Sequence, residues 1–256
     1  MKNIIYLIIL VPIFLSSCMD VVDMKLDKSE IMVVVDGEIN DQDELQTLRL
    51  SLSQPYFQDG SKVTIDNAQV ILFEDGQEVG NYEFINPGLY SLNYSGQIGK
   101  KYHVSIMLPT IPENPSFSGK QITSEPELLA PVSDITDIFY EFREEGLIYE
   151  EGYYVSIDTY DPKGKGNFYR WKLKVNGEFS KDPKRFLLLD DDRVDGNLIE
   201  NLDLTFDPYK AGDVVTVRQQ SISQNFYKYL MDVYMQALTQ ENFFDSPSFN
   251  PISNLK

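Results

Sequence analysis

Short apolar segments with a repeat of two residues cover most of the chain. Leu48, Leu50 and Leu52 alternate with Arg49 and Ser51, which predicts a strand with one apolar face. Similar segments recur about every ten residues and are separated by turn residues, a pattern typical of β-sandwiches. We therefore predict a mainly β protein made of two β-sandwich modules, Ig-like or prealbumin-like.

Two dipeptides mark tight hairpins. Asp75-Gly76 follows the strand segment Val70–Phe73, and Asn176-Gly177 follows a segment that ends at Val175. A two-residue turn of type I′ needs positive φ at both central residues, which favours Asn-Gly and Asp-Gly. Each dipeptide therefore predicts a hairpin.

Proline residues set the expected boundary between the two modules. Five of them fall between residues 109 and 131, so we place the N-terminal module at 28–131 and the C-terminal module at 132–256. The single tryptophan, Trp171, lies in the middle of a predicted strand of the second module, and we expect it in the core rather than on a ligand platform.

Near the C-terminus the apolar spacing changes to three and four residues. Ile222, Phe226, Leu230 and Val233 share one face at this spacing, which predicts an amphipathic helix over about 222–239. Ser221 and Gln224 match a capping box at its start. We expect the helix to close one end or face of a sandwich; a partner-binding helix is the alternative.

The first residues predict the destination of the protein. An apolar run over residues 4–15 follows Lys2; at twelve residues it is too short for a membrane-spanning helix and typical of a signal peptide, 1–17. Leu15, Ser16 and Ser17 resemble a lipobox before Cys18, the only cysteine. We expect a lipid on the Cys18 thiol and a tether over 18–27; an ordinary signal-peptidase site is the alternative.

Composition excludes several classes of function. The formal net charge of −18 repels nucleic-acid phosphates. One cysteine and one histidine cannot form an intrachain disulfide, a zinc site or a haem site. We expect no cofactor and no nucleic-acid partner.

Two acidic regions of the sequence are candidates for metal binding or acid–base chemistry. Asp190, Asp192 and Asp195 are a weak calcium candidate, but no EF-hand register fits, and a solvated turn is the favoured interpretation. The glutamates between residues 141 and 151 lack the spacing of a glycosidase pair. His103 is expected to be exposed, and the sequence contains no nucleophile elbow or P-loop. We predict that the protein is not an enzyme, and a hydrolase is disfavoured.

Short motifs in a fixed order resemble a known family. They are Val35-Asp36-Gly37-Glu38, Leu52-Ser53-Gln54-Pro55-Tyr56-Phe57, Ala68-Gln69-Val70, Gly88-Leu89-Tyr90, Gly99-Lys100-Lys101-Tyr102, Asp161-Pro162, Asn167-Phe168-Tyr169-Arg170-Trp171, Ser221-Ile222-Ser223 and Tyr227-Lys228-Tyr229-Leu230. Together with the lipobox, they resemble the Bacteroidota lipoprotein family called domain of unknown function 4249, over about residues 15–254. The resemblance implies a glycine-rich final strand after Pro251-x-x-Asn254, so we expect the sequence to be either truncated after Lys256 or without that strand; if the strand is absent, a sheet edge is expected to be unpaired.

The same resemblance implies an outer-membrane lipoprotein that is often encoded beside a TonB-dependent receptor, and it implies no catalytic residue. Asp20, Asp23 and Asp27 resemble the surface-export signal of such lipoproteins. We therefore expect an accessory or ligand-binding component of an uptake receptor, anchored by the lipid on Cys18 and facing the cell surface, with the periplasmic face as the alternative. A structural or adhesive surface protein, such as a stalk or pilus-like component, is the other hypothesis.

Overall fold

The computed structural model describes residues 31–54, 62–239 and 251–256. They form a mainly β protein with one α-helix near the C-terminus, as the alternating pattern predicts. The predicted lipobox, Cys18 and tether lie outside the described residues. Within the described ranges, no helix is long and apolar enough to cross a membrane.

The first eight strands form one antiparallel sheet, here called the N-terminal sheet. Its order is β1-β2-β5-β4-β3-β6-β7, and β8 also pairs with β6. The strands are β1 (Val33–Gly37), β2 (Leu45–Leu52), β3 (Gln69–Glu74), β4 (Gln77–Asn86), β5 (Leu89–Asn93), β6 (Lys101–Met107), β7 (Gln121–Thr123) and β8 (Glu127–Leu128).

The N-terminal sheet curls around its own core. β4 pairs with β3 along its first half and with β5 along its second half, so one strand connects two differently directed parts of the sheet. Leu48, Leu50 and Leu52 are buried inside, as their alternation predicts. Tyr90 is fully buried, and its hydroxyl donates a 2.8 Å hydrogen bond to the carbonyl of Ile65, which satisfies the polar group.

Both predicted hairpins are present. Asp75 and Gly76 have φ values of 45° and 80°, and Asn176 and Gly177 have values of 50° and 94°. Glu74 pairs with Gln77, and Val175 pairs with Glu178. The two predicted turns are therefore confirmed. They could be predicted because the left-handed backbone conformation depends on the turn residues themselves.

The remaining strands form two further antiparallel sheets. The three-stranded sheet has the order β14-β10-β9, and the four-stranded sheet has the order β12-β11-β13, with β15 also paired to β11. The strands are β9 (Ile135–Arg143), β10 (Gly152–Tyr160), β11 (Phe168–Val175), β12 (Glu178–Phe179), β13 (Leu187–Asp190), β14 (Leu198–Asp203) and β15 (Val215–Ser221). Both sheets contribute to a second buried cluster formed by Ile157, Tyr169, Trp171 and Leu204. The prediction that Trp171 belongs to the core is confirmed.

The helix α1 (Gln224–Thr239) begins two residues later than predicted. Ser223, rather than Ser221, caps it: its hydroxyl accepts a 3.1 Å hydrogen bond from the N–H of Phe226. Ser221 instead pairs with Tyr169 as the last residue of β15. The capping-box prediction is wrong because the strand ladder extends through Ser221.

Charged pairs join the N-terminal sheet to the four-stranded sheet. Arg218 donates two hydrogen bonds to the Glu44 carboxylate, of 2.9 and 3.1 Å, and Lys172 lies 3.1 Å from Glu38. The final residues also contact the N-terminal sheet, because Lys256 and Thr123 exchange backbone hydrogen bonds of 2.8 and 3.0 Å beside β7. The outer side of β7 is therefore paired at its last residue.

Candidate functional site

The β9–β10 hairpin carries a cluster of exposed large apolar side chains. Ile138, Tyr140 and Phe142 lie on one face of β9 and are 51%, 72% and 52% exposed. In the ladder Ile138 is opposite Ile157, and opposite residues of a ladder share a face. Since Ile157 is fully buried, the core covers β10 but not Ile138, although Ile135 at the start of β9 packs against it.

The loop of this hairpin extends the apolar surface to its tip. Leu147 and Ile148 are 106% and 85% exposed, and Tyr149 follows them. Consecutive large apolar side chains that are almost fully in water are typical of contact surfaces rather than of an isolated soluble domain.

Arg143 holds the base of the loop in place. Its guanidinium lies 2.5 Å from the Glu141 carboxylate and 2.9 Å from Asp203. The same group lies over the rings of Tyr149 and Tyr154, at 4.4 and 4.3 Å from their centroids. These contacts order one side of the loop, so the exposed tip projects from a defined base.

The surroundings of the apolar surface are acidic. Seven carboxylate residues and one arginine lie between Ile135 and Tyr160. Glu144, Glu145, Glu150 and Glu151 flank the tip on both sides and are exposed. An apolar centre with a negative rim fits a partner that has an apolar centre and a positive rim.

The sequence contained a signal for this surface that our prediction did not use. The acidic glutamates were considered only as a catalytic pair, whereas Leu147-Ile148-Tyr149 stands between two Glu pairs. Apolar residues inside a strongly charged loop have no core to enter, and this conflict indicates a contact surface. That the core does not cover Ile138 is a tertiary feature without a sequence signal.

The three carboxylates of the weak calcium candidate do not converge. Asp190 accepts hydrogen bonds from the Asp192 N–H (3.3 Å) and the Tyr227 hydroxyl (3.2 Å), while Asp195 accepts one from the Gly164 N–H (2.7 Å). Asp192 is exposed, and Lys165 approaches it at 3.9 Å. Across the described residues, no group of three or more acidic, His or Cys side chains is arranged to hold a metal ion.

Asp191, between these residues, is buried and was not singled out by the sequence. Its carboxylate accepts hydrogen bonds from the backbone N–H groups of Gly166 and Asn167, at 3.1 and 2.9 Å, and from the Asn167 side chain at 3.1 Å. Burial acts to raise the pKa of Asp191, but these bonds outweigh burial and lower it. Asp191 thus fixes the loop that leads into β11.

Asp161 provides a similar anchor on the other side of that loop. It is fully buried, accepts a 3.0 Å bond from the Gly196 N–H and is hydrogen-bonded by the Tyr169 hydroxyl. Burial and this carboxylate raise the pKa of Tyr169. Two buried carboxylates therefore hold the acidic segment after β13 in place, Asp191 from within it and Asp161 from outside it. The sequence pattern did not distinguish them from the exposed carboxylates nearby.

The expectation that His103 is exposed is wrong. Its ring stacks on Phe73 at a centroid distance of 4.7 Å, and its Nδ1 is buried without a hydrogen-bond partner among the described residues. The strand alternation placed His103 correctly on the face opposite the core residue Tyr102, but Phe73 lies opposite it on β3 and covers it.

Comparison with known protein families matches residues 20–256 to a family described as a domain of unknown function, DUF4249. The chain belongs to the DUF4249 family. A search of curated proteins found no match. The DUF4249 match includes all described strands and α1, and therefore both the β9–β10 hairpin and the Asp191 loop.

Proposed function

We propose that this DUF4249 protein is an outer-membrane lipoprotein that is anchored through Cys18 and serves, without catalysis, as an accessory of a TonB-dependent uptake receptor. The lipobox of Leu15, Ser16 and Ser17 before the only cysteine supports the anchor. Asp20, Asp23 and Asp27 support a position on the cell surface. The proposal assigns no catalytic residue and no cofactor.

The observation that carries the binding role is the exposed apolar tip of the β9–β10 hairpin. Leu147 and Ile148 remain in water in the isolated chain, and burial of large apolar side chains contributes roughly 25 cal/mol per Å² of area removed from water. The Glu pairs that flank them disfavour insertion between anionic lipid headgroups. A protein surface, such as the extracellular loops of a receptor, is therefore the better match.

We also propose that the strands pack as two sandwich modules. Support comes from the two separate buried clusters, one around Tyr90 and one around Trp171, and from β4, which changes partner along its length. A crystal structure in which the two parts of the N-terminal sheet did not face each other across Tyr90 would contradict this arrangement.

The receptor role is tested by isolating the full-length tagged protein from native membranes in mild detergent and identifying co-purifying proteins by mass spectrometry. We expect a stoichiometric TonB-dependent barrel with the unaltered chain. The paired substitution Leu147→Glu and Ile148→Glu should abolish the association, because it places charge in the contact surface and adds to the acidic rim.

Ile252→Glu is the matched control, since Ile252 is 84% exposed, close to the 85% of Ile148, but lies near the C-terminus. It should leave the association unchanged. Recovery of the unaltered chain alone, or only with further copies of itself, would contradict the receptor role and favour a structural or adhesive one.

A further inference from the structure

Within the part of the chain that the structure describes, β9 is an edge strand with a free side. Among the described strands it pairs with β10 alone. It is nine residues long, longer than the short edge strands by which proteins usually avoid unwanted pairing. Its outer side is thus a candidate template for one further strand.

The direction of the backbone groups follows from β10. The N–H of Val155 donates to the Thr205 hydroxyl and its carbonyl accepts from the Leu204 N–H, so both groups of Val155 point away from β9. Val155 lies opposite Tyr140. In an antiparallel ladder such a pair exchanges no hydrogen bonds, and the N–H and carbonyl of Tyr140 therefore point to the free side.

The same reasoning applies two residues further along. Tyr153 exchanges backbone hydrogen bonds of 3.0 and 2.9 Å with Tyr209 and lies opposite Phe142, so Phe142 also presents its backbone outward. At Ile138 the outward N–H is covered by the Asp137 carboxylate, at 2.8 Å. This local cover limits the pairing stretch to the half of β9 nearer the tip.

The side chains of β9 differ between its two faces. Ile138, Tyr140 and Phe142 make one face apolar, whereas the other carries Asp137, Phe139, Glu141 and Arg143, with Glu141 paired to Arg143. Side chains of an added strand lie beside these residues, and cross-strand pairs of like chemistry or opposite charge are favourable. The adjoining loop adds four exposed glutamates, so the matching strand alternates apolar and basic residues.

Charge also decides between a foreign strand and a second copy. The hairpin holds seven carboxylates against one arginine, and the whole chain has a formal net charge of −18. Two copies joined edge to edge at β9 would bring these carboxylates together, which is unfavourable. A basic segment gains attraction at the same place.

We propose that β9 binds an extended, alternating basic and apolar segment of a partner protein by strand addition at its free edge. The backbone groups of Tyr140 and Phe142 supply the hydrogen bonds, the apolar face of β9 takes the apolar side chains, and Glu141 together with the exposed glutamates of the adjoining loop takes the basic ones. The inference rests on the proposed binding function and specifies the chemistry of the partner.

The test measures binding of short peptides to the purified full-length protein in mild detergent by calorimetry. The parent peptide alternates lysine and valine. Two derivatives are N-methylated, one at every lysine and the other at every valine, which removes the backbone donors on one side of the strand only. A third replaces lysine by glutamate.

We expect the parent peptide to bind and one methylated derivative to lose at least about tenfold in affinity, roughly 1.4 kcal/mol, while the other retains it. The glutamate peptide should not bind. Hydrogen–deuterium exchange should show protection over residues 140–142 on binding. Tyr140→Pro, which removes an outward N–H at an edge where proline is tolerated, should weaken binding about tenfold, whereas Tyr140→Thr keeps the N–H and should lose less.

Equal binding of both methylated peptides, or equal binding of the glutamate peptide, would overturn strand addition. Self-association of the chain that competes with the peptide would also overturn it, in favour of a second copy at the edge. If Tyr140→Pro fails to fold, binding of the methylated peptides to the unaltered protein still tests strand addition. Receptor association that persists without any peptide binding would reject this inference alone and leave the proposed function standing.

Discussion

At the scale of single residues, Asp191 and Asp192 are adjacent in the chain but have different roles. Asp191 is 2% exposed and holds three hydrogen bonds from Gly166 and Asn167, whereas the side chain of Asp192 is 76% exposed. A carboxylate that accepts hydrogen bonds from buried amides stabilises the folded state. Without it, those N–H groups would be removed from water and would have no hydrogen-bond acceptor.

We therefore expect Asp191→Ala to lower the free energy of unfolding by about 3 kcal/mol, measured by urea denaturation at neutral pH. Asp192→Ala is the matched control and should stay within about 0.5 kcal/mol of the unaltered protein. Similar values for the two variants would show that the Asp191 carboxylate does not fix the loop.

At the level of secondary-structure elements, nearby sequence predicts the strand faces and the turns better than it predicts the first residue of α1. Alternation predicts the buried face of β2, and the dipeptides at 75–76 and 176–177 predict two turns, because both depend on residues near each other in sequence. The start of α1 depends on where β15 ends, and the pairing of Ser221 with Tyr169 is a contact between distant residues.

Ser223→Ala should lower the free energy of unfolding by about 1 kcal/mol, because it removes the cap of α1. The same change removes the 2.7 Å hydrogen bond that the Ser223 hydroxyl donates to Glu127. Ser221→Ala is the comparison that separates the two capping assignments, and thermal unfolding can measure both variants. If Ser221→Ala lowered the free energy of unfolding more than Ser223→Ala, the result would support the capping box predicted from the sequence.

At the scale of the whole molecule, ion pairs join the N-terminal sheet to the four-stranded sheet. The hydrogen bond from Arg218 lowers the pKa of Glu44, so the carboxylate is stabilised in its charged form. The pair is partly exposed, with side-chain exposures of 31% for Arg218 and 41% for Glu44. Solvent screening therefore keeps its contribution modest.

A double-mutant cycle of Glu44→Gln and Arg218→Gln should give a coupling energy of about 0.5 to 1 kcal/mol at pH 7. Since the folded-state pKa of Glu44 lies below its ordinary value of 4.5, this stabilisation is present above that value. It is lost as the pH falls through the lower folded-state pKa. Urea denaturation at pH 7 and at successively lower pH measures the change.

The control cycle uses Lys165 and Asp192, which are 3.9 Å apart and mostly exposed, and it should give a coupling energy near zero at every pH. If the Glu44–Arg218 coupling persisted unchanged in strong acid, the carboxylate would not be its source. Salt should weaken the coupling as well, because exposed charges are screened.

Properties that depend on residues close together in the chain can be predicted from the sequence. Alternation with a period of two determined that the chain is mainly β, the turn dipeptides determined two hairpins, and the spacing after residue 222 determined one helix. The order of motifs resembled the family to which the chain belongs. The lipid anchor on Cys18 and the receptor role remain predictions from the sequence.

Which residues are buried and which remain exposed depends on tertiary contacts, even where the sequence pattern is similar. Ile138 and Ile157 look alike in sequence, but Ile157 on β10 is buried in the core, whereas Ile138 on β9 is half exposed. Asp191 and Asp192 differ for the same reason. Burial depends on what packs across a sheet or a loop, and residues far apart in the chain supply that cover.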